Sequence, residues 1–156
     1  MEYADYFAVM DDIDRKIASL LAEDARRSLA DIGSVVDLSP SAVNERIRRL
    51  TASGAIKRFT VDADPAAFGQ EVLAFIFVGL NYEAGEGDFK AFIATCPCVM
   101  DCHHVTGVWS YLLKIRVASL AEVEGFLQHL KERRFLARSE TMLALSTVTE
   151  KPFTPV

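Results

Sequence analysis

The sequence predicts a helical N-terminal part followed by an α+β part. Three observations lead there. Apolar residues recur at helical spacing from about residue 11 to 54. Past a break at Asp62-Ala63-Asp64-Pro65, runs rich in β-branched and aromatic residues alternate with two helical patterns. The order of those later pieces is β-α-β-β-α-β.

In the first part, Asp11 or Asp12 can cap a helix carrying Ile13, Ile17, Leu20 and Leu21, which stops near Asp24 to Arg27. Ser28 can cap a second helix, with Asp31 three residues on, in capping-box position. Its apolar face is Leu29, Ile32 and Val35 or Val36. After a short turn at Asp37-Leu38, Ser39 is an N-cap and Pro40 stands at the first helical position, where its missing N–H is harmless. Val43, Ile47 and Leu50 face inward, and Gly54 suits a left-handed C-terminal residue. Two short helices joined by a tight turn behind a supporting helix make a helix-turn-helix, the second of the pair being the reading helix. Ile56 to Val61 alternates and reads as a short strand or wing, so the expected fold is winged-helix-like. The expected division is residues 1–61, a linker 62–70, and a second domain 71–156.

In the second domain, Val72 to Leu80 reads as a strand and Glu83 to Asp88 as a loop. Phe89, Phe92 and Ile93 mark a helix ended by Pro97. Val99 to Thr106 and Trp109 to Val117 are strand-like runs around Gly107. Ser119 with Glu122 is a capping-box pattern for a helix burying Val123, Phe126, Leu127 and Leu130, and the last strand is placed at about Met142 to Val148. This is the ferredoxin-like βαββαβ plan. It covers one sheet face with helices and leaves the other apolar and wet, with Phe75, Phe77 and Leu113 as contributors, so a dimer joined through this half is expected.

The chain has 156 residues, is 51% hydrophobic and has a formal net charge of -5. That total makes one segment stand out: between Ser39 and Thr60, Arg46, Arg48, Arg49, Lys57 and Arg58 face one acid, Glu45. DNA binding responds to local potential rather than total charge. Ser39, Ser41, Asn44 and Arg48 can reach bases or phosphates from the third helix, while Arg49, Lys57 and Arg58 suit phosphates. Arg46 lies on the helix flank, with its stem packed and its head either structural or at a phosphate.

Cys96, Cys98 and Cys102 are an odd set in one short segment, a poor disulfide framework. His103 and His104 follow, but neighbouring strand residues point to opposite faces and cannot easily share a metal. No metal, cofactor or catalytic residue is expected, since no nucleotide loop or nucleophile-base-acid set is visible. No leader and no apolar run near the ~20 residues of a membrane span is visible, so the cytoplasm is the default and no membrane partner is expected.

Four motifs carry a resemblance: Asp11-Asp12-Ile13-Asp14, Leu38-Ser39-Pro40-Ser41-Ala42-Val43, Arg46-Ile47-Arg48-Arg49-Leu50 with Gly54-Ala55-Ile56, and Val105-Thr106-Gly107 followed by Tyr111-Leu112-Leu113-Lys114. In this order the chain, over roughly residues 10 to 151, resembles the leucine-responsive/asparagine-regulator (Lrp/AsnC) family of transcription regulators. The resemblance implies double-stranded DNA as partner, a homodimer assembling to a tetramer or octamer, and a small-molecule effector, commonly an amino acid, at contacts between dimers. It implies that Val105, Thr106, Gly107, Trp109, Ser110 and Tyr111 line one side of the effector site. Leu136, Ser139 and Thr141 of a neighbouring subunit would line the other.

The sequence departs from the family pattern at Ser110 and Cys98, where an acid is usual, and near Phe135, where a glycine is usual. A serine offers only a neutral hydroxyl to a ligand ammonium. Trp109 reads either as a core or interface aromatic or as an apolar wall for a less charged ligand. Two other readings share the fold: a DNA-binding protein that acts architecturally without effector, and a haem-biosynthesis decarboxylase-like protein. The intact basic third helix speaks against the latter.

Overall fold

A computed structural model describes residues 10–151 and Phe153. The chain divides into two compact units, one ending at Asp62 and one spanning Ala63–Glu150. Among the described residues no helix is long and apolar enough to cross a membrane.

The first unit holds α1 (Asp12–Glu23), α2 (Leu29–Val36) and α3 (Pro40–Ala52). Each start is capped as its sequence demands. Of the two aspartates available to α1, Asp11 is the cap, accepting the Asp14 N–H at 2.7 Å. Ser28 accepts from Asp31 N–H at 3.1 Å and Ser39 from Ala42 N–H at 3.3 Å, satisfying donors that have no partner within their helix. Asp37 closes α2 in the left-handed region, and Gly54, at φ +78°, lets the chain turn away after α3. Ile17, Leu20, Leu21, Ile32, Val43 and Leu50 form the core, with Ile13, Leu29, Val36, Ile47 and Ile56 packed around it. Val36, not Val35, is the inward valine of α2.

The wing is a correction. Residues 57–64 are neither helix nor strand, and Phe59 and Val61 are exposed. Ile56 ends the helical unit instead: its N–H bonds the Leu50 carbonyl at 3.0 Å. Alternation alone makes no strand where no second strand completes the ladder, and among its described residues this unit has none.

The second unit begins with one turn of 3-10 helix, Pro65–Phe68. It continues as β1 (Val72–Leu80), α4 (Glu86–Thr95), β2 (Val99–His104), β3 (Tyr111–Val117), α5 (Leu120–Glu132) and β4 (Leu136–Leu143). The strands lie in the order β2-β3-β1-β4, with all neighbours antiparallel. This is the expected βαββαβ arrangement. α4 starts at Glu86, inside the stretch expected as loop.

Alternate residues of β1 and β3 point under the helices. Ala74, Ile76, Val78, Tyr111, Leu113, Ile115 and Val117 meet Phe89, Ile93, Val123, Phe126, Leu130 and Phe135 in one core. Leu113 therefore corrects the expectation for it: register pairs it with Ile76 on the covered face. Phe75 and Phe77 do lie on the other face, with Leu112, Lys114 and Arg116.

The last strand is a second correction. It spans Leu136–Leu143, so it starts six residues and ends five residues earlier than expected. β4 is an edge strand with Arg138, Ser139 and Glu140 exposed, so no apolar alternation marks it. Leu145 and Val148, which suggested the strand, are fully or nearly fully exposed beyond it. After Ala144 donates to the Leu73 carbonyl at 2.9 Å, the chain leaves the ladder. It crosses toward β3, where the Glu150 carboxylate accepts from Lys114 Nζ at 2.7 Å and Arg116 Nη2 at 2.9 Å.

Candidate functional site

α3 presents two kinds of polar residue. Ser41, Asn44 and Arg48 fall on one exposed row at three- and four-residue spacing. Ser39 stands at its N-terminal end, its hydroxyl 3.0 Å from that of Ser41. Among the described residues Arg48 reaches only Glu45 on its own helix, at 3.3 Å, and both side chains stay more than two-thirds in solvent. Lys57 and Arg58 follow, exposed, in the irregular segment after the helix. Together they make a capped, rigid helix face with arginine, asparagine and serine outward, flanked by cations. Such a face can donate to base edges and to phosphates.

Arg46 and Arg49 point back to α1. Arg46 Nη1 donates to Asp11 at 2.6 Å and to Asp14 at 2.8 Å, and its side chain is 22% exposed. Arg49 Nη2 donates to Asp14 Oδ2 at 3.2 Å but keeps 62% of its side chain in solvent. The hydrogen bond from Arg46, and then that from the Asp14 N–H, hold the Asp11 carboxyl below its usual range. The same contacts to Asp11 and then Asp14 raise the Arg46 guanidinium. Asp11 and Asp14 were not among the residues expected to matter to this face. Their spacing of three on a helix, opposite arginines three apart on another, is the signal that marks them.

The turn between β2 and β3 is built on backbone bonds. Val105 N–H bonds the Ser110 carbonyl at 3.1 Å, Ser110 N–H bonds the Val78 carbonyl at 2.8 Å, and Gly107 takes φ 101°. The Ser110 hydroxyl accepts the Leu80 N–H at 3.1 Å and stands 3.5 Å from the Tyr82 hydroxyl. Tyr111 is 3% exposed and donates its hydroxyl to Glu86, which also holds Lys90 at 2.8 Å. Burial, then that bond to Glu86, pushes the Tyr111 hydroxyl up. Lys90, then Tyr111, holds the Glu86 carboxyl down. The Tyr111 ring stacks on His104 at 5.0 Å.

Trp109 lies elsewhere. Its ring is 5.9 Å from Phe77, and the Arg138 guanidinium sits 4.4 Å from its centroid while donating to the Val108 carbonyl. Thr106 is exposed and Val105 half-buried. On β4, Ser139 lies opposite Val78 and Thr141 opposite Ile76, so both share the helix-side face with Tyr111. Leu136, half-buried, pairs with Leu80. One chain thus distributes the expected effector residues over both faces of the sheet. Among the described residues they line neither a groove between Phe68, Pro97, Cys98 and Met100 (about 560 Å³) nor one between β1 and the Ala144–Glu150 tail (about 420 Å³).

Cys96, Cys98 and Cys102 are free and half-buried, and burial pushes all three thiols up. Register sets His103 opposite Leu112 and His104 opposite Tyr111, on opposite faces.

Residues 10–51 match the model of the AsnC-type helix-turn-helix domain, and residues 73–152 that of the Lrp/AsnC ligand binding domain. The chain belongs to the Lrp/AsnC family of transcription regulators. It is 33% identical over 148 residues to the HTH-type transcriptional regulator FL11 of Pyrococcus horikoshii, covering 94% of this chain and 97% of that protein. The crystal structure of the leucine response regulatory protein LrpA of Mycobacterium tuberculosis superposes with a TM-score of 0.84 at 30% identity, covering 93% of this chain and 99% of that one. A transcriptional regulator of Neisseria meningitidis, solved as a complex with L-Met, shares the fold: TM-score 0.83 at 24% identity, covering 95% and 96%. In this family frame, the basic α3 belongs to the DNA-binding part and the sheet to the ligand-binding part.

Proposed function

We propose that α3 enters the major groove of double-stranded DNA, with Ser39, Ser41, Asn44 and Arg48 at base edges or phosphates, and Arg49, Lys57 and Arg58 on the backbone. Arg46 serves the same face from behind, as the brace between α3 and α1. The observation that carries this reading is the exposed Ser41-Asn44-Arg48 row on a helix whose other arginines are tied down. The protein acts in the cytoplasm as a homodimer that assembles further to a tetramer or octamer, so its target is roughly palindromic. Its role is regulatory rather than catalytic.

A small metabolite, an amino acid or a less charged relative, binds at a contact between subunits. Val105, Thr106, Gly107, Trp109, Ser110 and Tyr111 come from one subunit, and Leu136, Ser139 and Thr141 from its neighbour. Binding there shifts the population of DNA-binding assemblies. The split of these residues over both sheet faces supports a site completed by a second chain.

Arg48→Ala and Lys57→Ala test the DNA face. Both weaken binding, and the loss of Arg48 also relaxes sequence preference; equal weakening on specific and random duplexes removes the base-reading role. Calorimetry against a metabolite panel tests the effector. The architectural reading, without effector, is favoured by one observation: the Ser110 hydroxyl is already engaged at Leu80 N–H. No heat and no change in assembly or DNA binding across the panel would establish it.

A further inference from the structure

We infer that Asp14, on a different helix from the reading face, is a positioning residue for DNA binding: it holds Arg49 so that the rest of its guanidinium meets a backbone phosphate. The inference rests on the reading that α3 docks on DNA.

Asp14 is 6% exposed, a buried charge in a unit otherwise cored by aliphatic side chains. Such a charge survives only if paired. Both its oxygens are used, Oδ1 by Arg46 Nη1 at 2.8 Å and Oδ2 by Arg49 Nη2 at 3.2 Å. The two arginines are held differently. Arg46 has a second carboxylate, Asp11 at 2.6 Å, and is mostly covered. Asp11 and Asp14 together outnumber it by one charge, and Arg49 supplies the balance. Arg49 spends one nitrogen on Asp14 and leaves most of its side chain in solvent. A guanidinium offers five N–H donors in a fixed fork, so it can hold a buried carboxylate with one edge and a phosphate with another. An arginine already fixed in this way loses less side-chain freedom when it grips its target.

The sign of the effect separates this from general electrostatics. Asp14→Asn removes a negative charge close to the DNA face, and charge alone predicts tighter binding to a polyanion. Loss of positioning predicts weaker binding.

The test uses the full-length protein and a fluorescent random-sequence duplex, with affinity read by anisotropy across a salt series. Arg49→Ala is expected to weaken binding and to flatten the dependence of log affinity on log salt by about one contact, a slope change of ~0.9. Asp14→Asn is expected to weaken binding several-fold despite the removal of a negative charge. In the Arg49→Ala background, the same Asp14→Asn change is expected to cause no further loss. Tighter or unchanged binding by Asp14→Asn overturns the proposal. So does an equal loss with and without Arg49, which would mark Asp14 as a support of the fold alone. If Arg49→Ala itself has no effect, the underlying reading of the α3 phosphate face fails first. Circular dichroism confirms that each variant is folded. Should Asp14→Asn not fold, Arg49→Lys asks the same question: lysine keeps the charge without a second edge, so several-fold weakening is expected, and wild-type affinity overturns the proposal.

Discussion

Replacing Gly33 by alanine should cost stability, although the rule for helices says the opposite. Gly33 lies inside α2, where alanine is worth about 1 kcal/mol over glycine. A Cβ built there, however, would sit well inside 3.0 Å of the Leu38 carbonyl oxygen, with Val43 Cγ2 at 3.7 Å. That carbonyl is not free to swing: Leu38 N–H bonds the Gly33 carbonyl at 3.0 Å, so the turn between α2 and α3 rests directly on Gly33. The turn must move by several tenths of an ångström and carry the start of α3 with it. Overpacking of this kind costs about 1–3 kcal/mol. Contact with backbone puts it at the upper end, for a net loss of about 2 kcal/mol once the propensity gain is subtracted. In a unit of this size that lowers the melting temperature by on the order of 10 °C. Gly125, inside α5 with nothing among the described residues within 4 Å of a Cβ built there, is the matched control, and its alanine variant should gain about 0.5–1 kcal/mol. Thermal unfolding and DNA affinity read both variants. If Gly33→Ala stabilises as Gly125→Ala does and binds DNA like the wild type, the account of the turn is wrong.

Phe89→Ala should cost about 3–5 kcal/mol in denaturant unfolding, because Phe89 is wholly buried with rings of Tyr111 and Phe135 at 4.9 and 5.6 Å; a loss under about 1 kcal/mol would mean the core closes over the gap. The Glu150 carboxyl is lowered by the Lys114 hydrogen bond first, and by the Lys114 and Arg116 charges. A depressed folded pKa gives a contribution that is complete above the ordinary value of 4.5 and lost as pH falls through the folded one, so the tail should stay latched at neutral pH and come free only below that range. Exchange of the Ala144 amide against pH measures this, and Glu150→Gln should show the released behaviour at pH 7. Alkylation of Cys96, Cys98 and Cys102 by iodoacetamide should run slower than that of a small free thiol near pH 8, since burial raises all three; a fast-reacting cysteine would point to an exposed thiolate.

How much was legible depended on whether the deciding interaction was local. Ser28, Ser39 and Ser119 cap their helices through bonds spanning three residues, so the sequence displays them whole. β1 was legible because it is covered on one face and half-covered on the other, which demands apolar residues throughout. β4 was not, because an edge strand with exposed arginine, serine and glutamate gains its place from hydrogen bonds to β1 rather than from burial. Leu112 and Leu113 are identical in type, and only the register against Phe77 and Ile76 assigns them to opposite faces. The residues expected at an effector site can be picked out along the chain, but the face each occupies follows from pairing partners some 30 residues or more away.

The charge that distinguished α3 shows the same limit in another form. Five basic residues against Glu45 give the Ser39–Thr60 segment a formal +4, which marked the helix for DNA. The fold brings Asp11 and Asp14 from α1 against Arg46 and Arg49, and the face those groups share falls to +2. A potential belongs to a surface, not to a stretch of chain. Arg46 is removed from the count almost entirely, whereas Arg49 is neutralised on one edge and open on the other. Of the five, those with no carboxylate from another helix among the described residues are Arg48, Lys57 and Arg58. The salt dependence of DNA binding should therefore reflect about four arginine and lysine contacts per reading head, Arg49 included, rather than the five present in the sequence. A slope that fell on Arg46→Met as steeply as on Lys57→Ala would show that Arg46 leaves its carboxylates for the DNA.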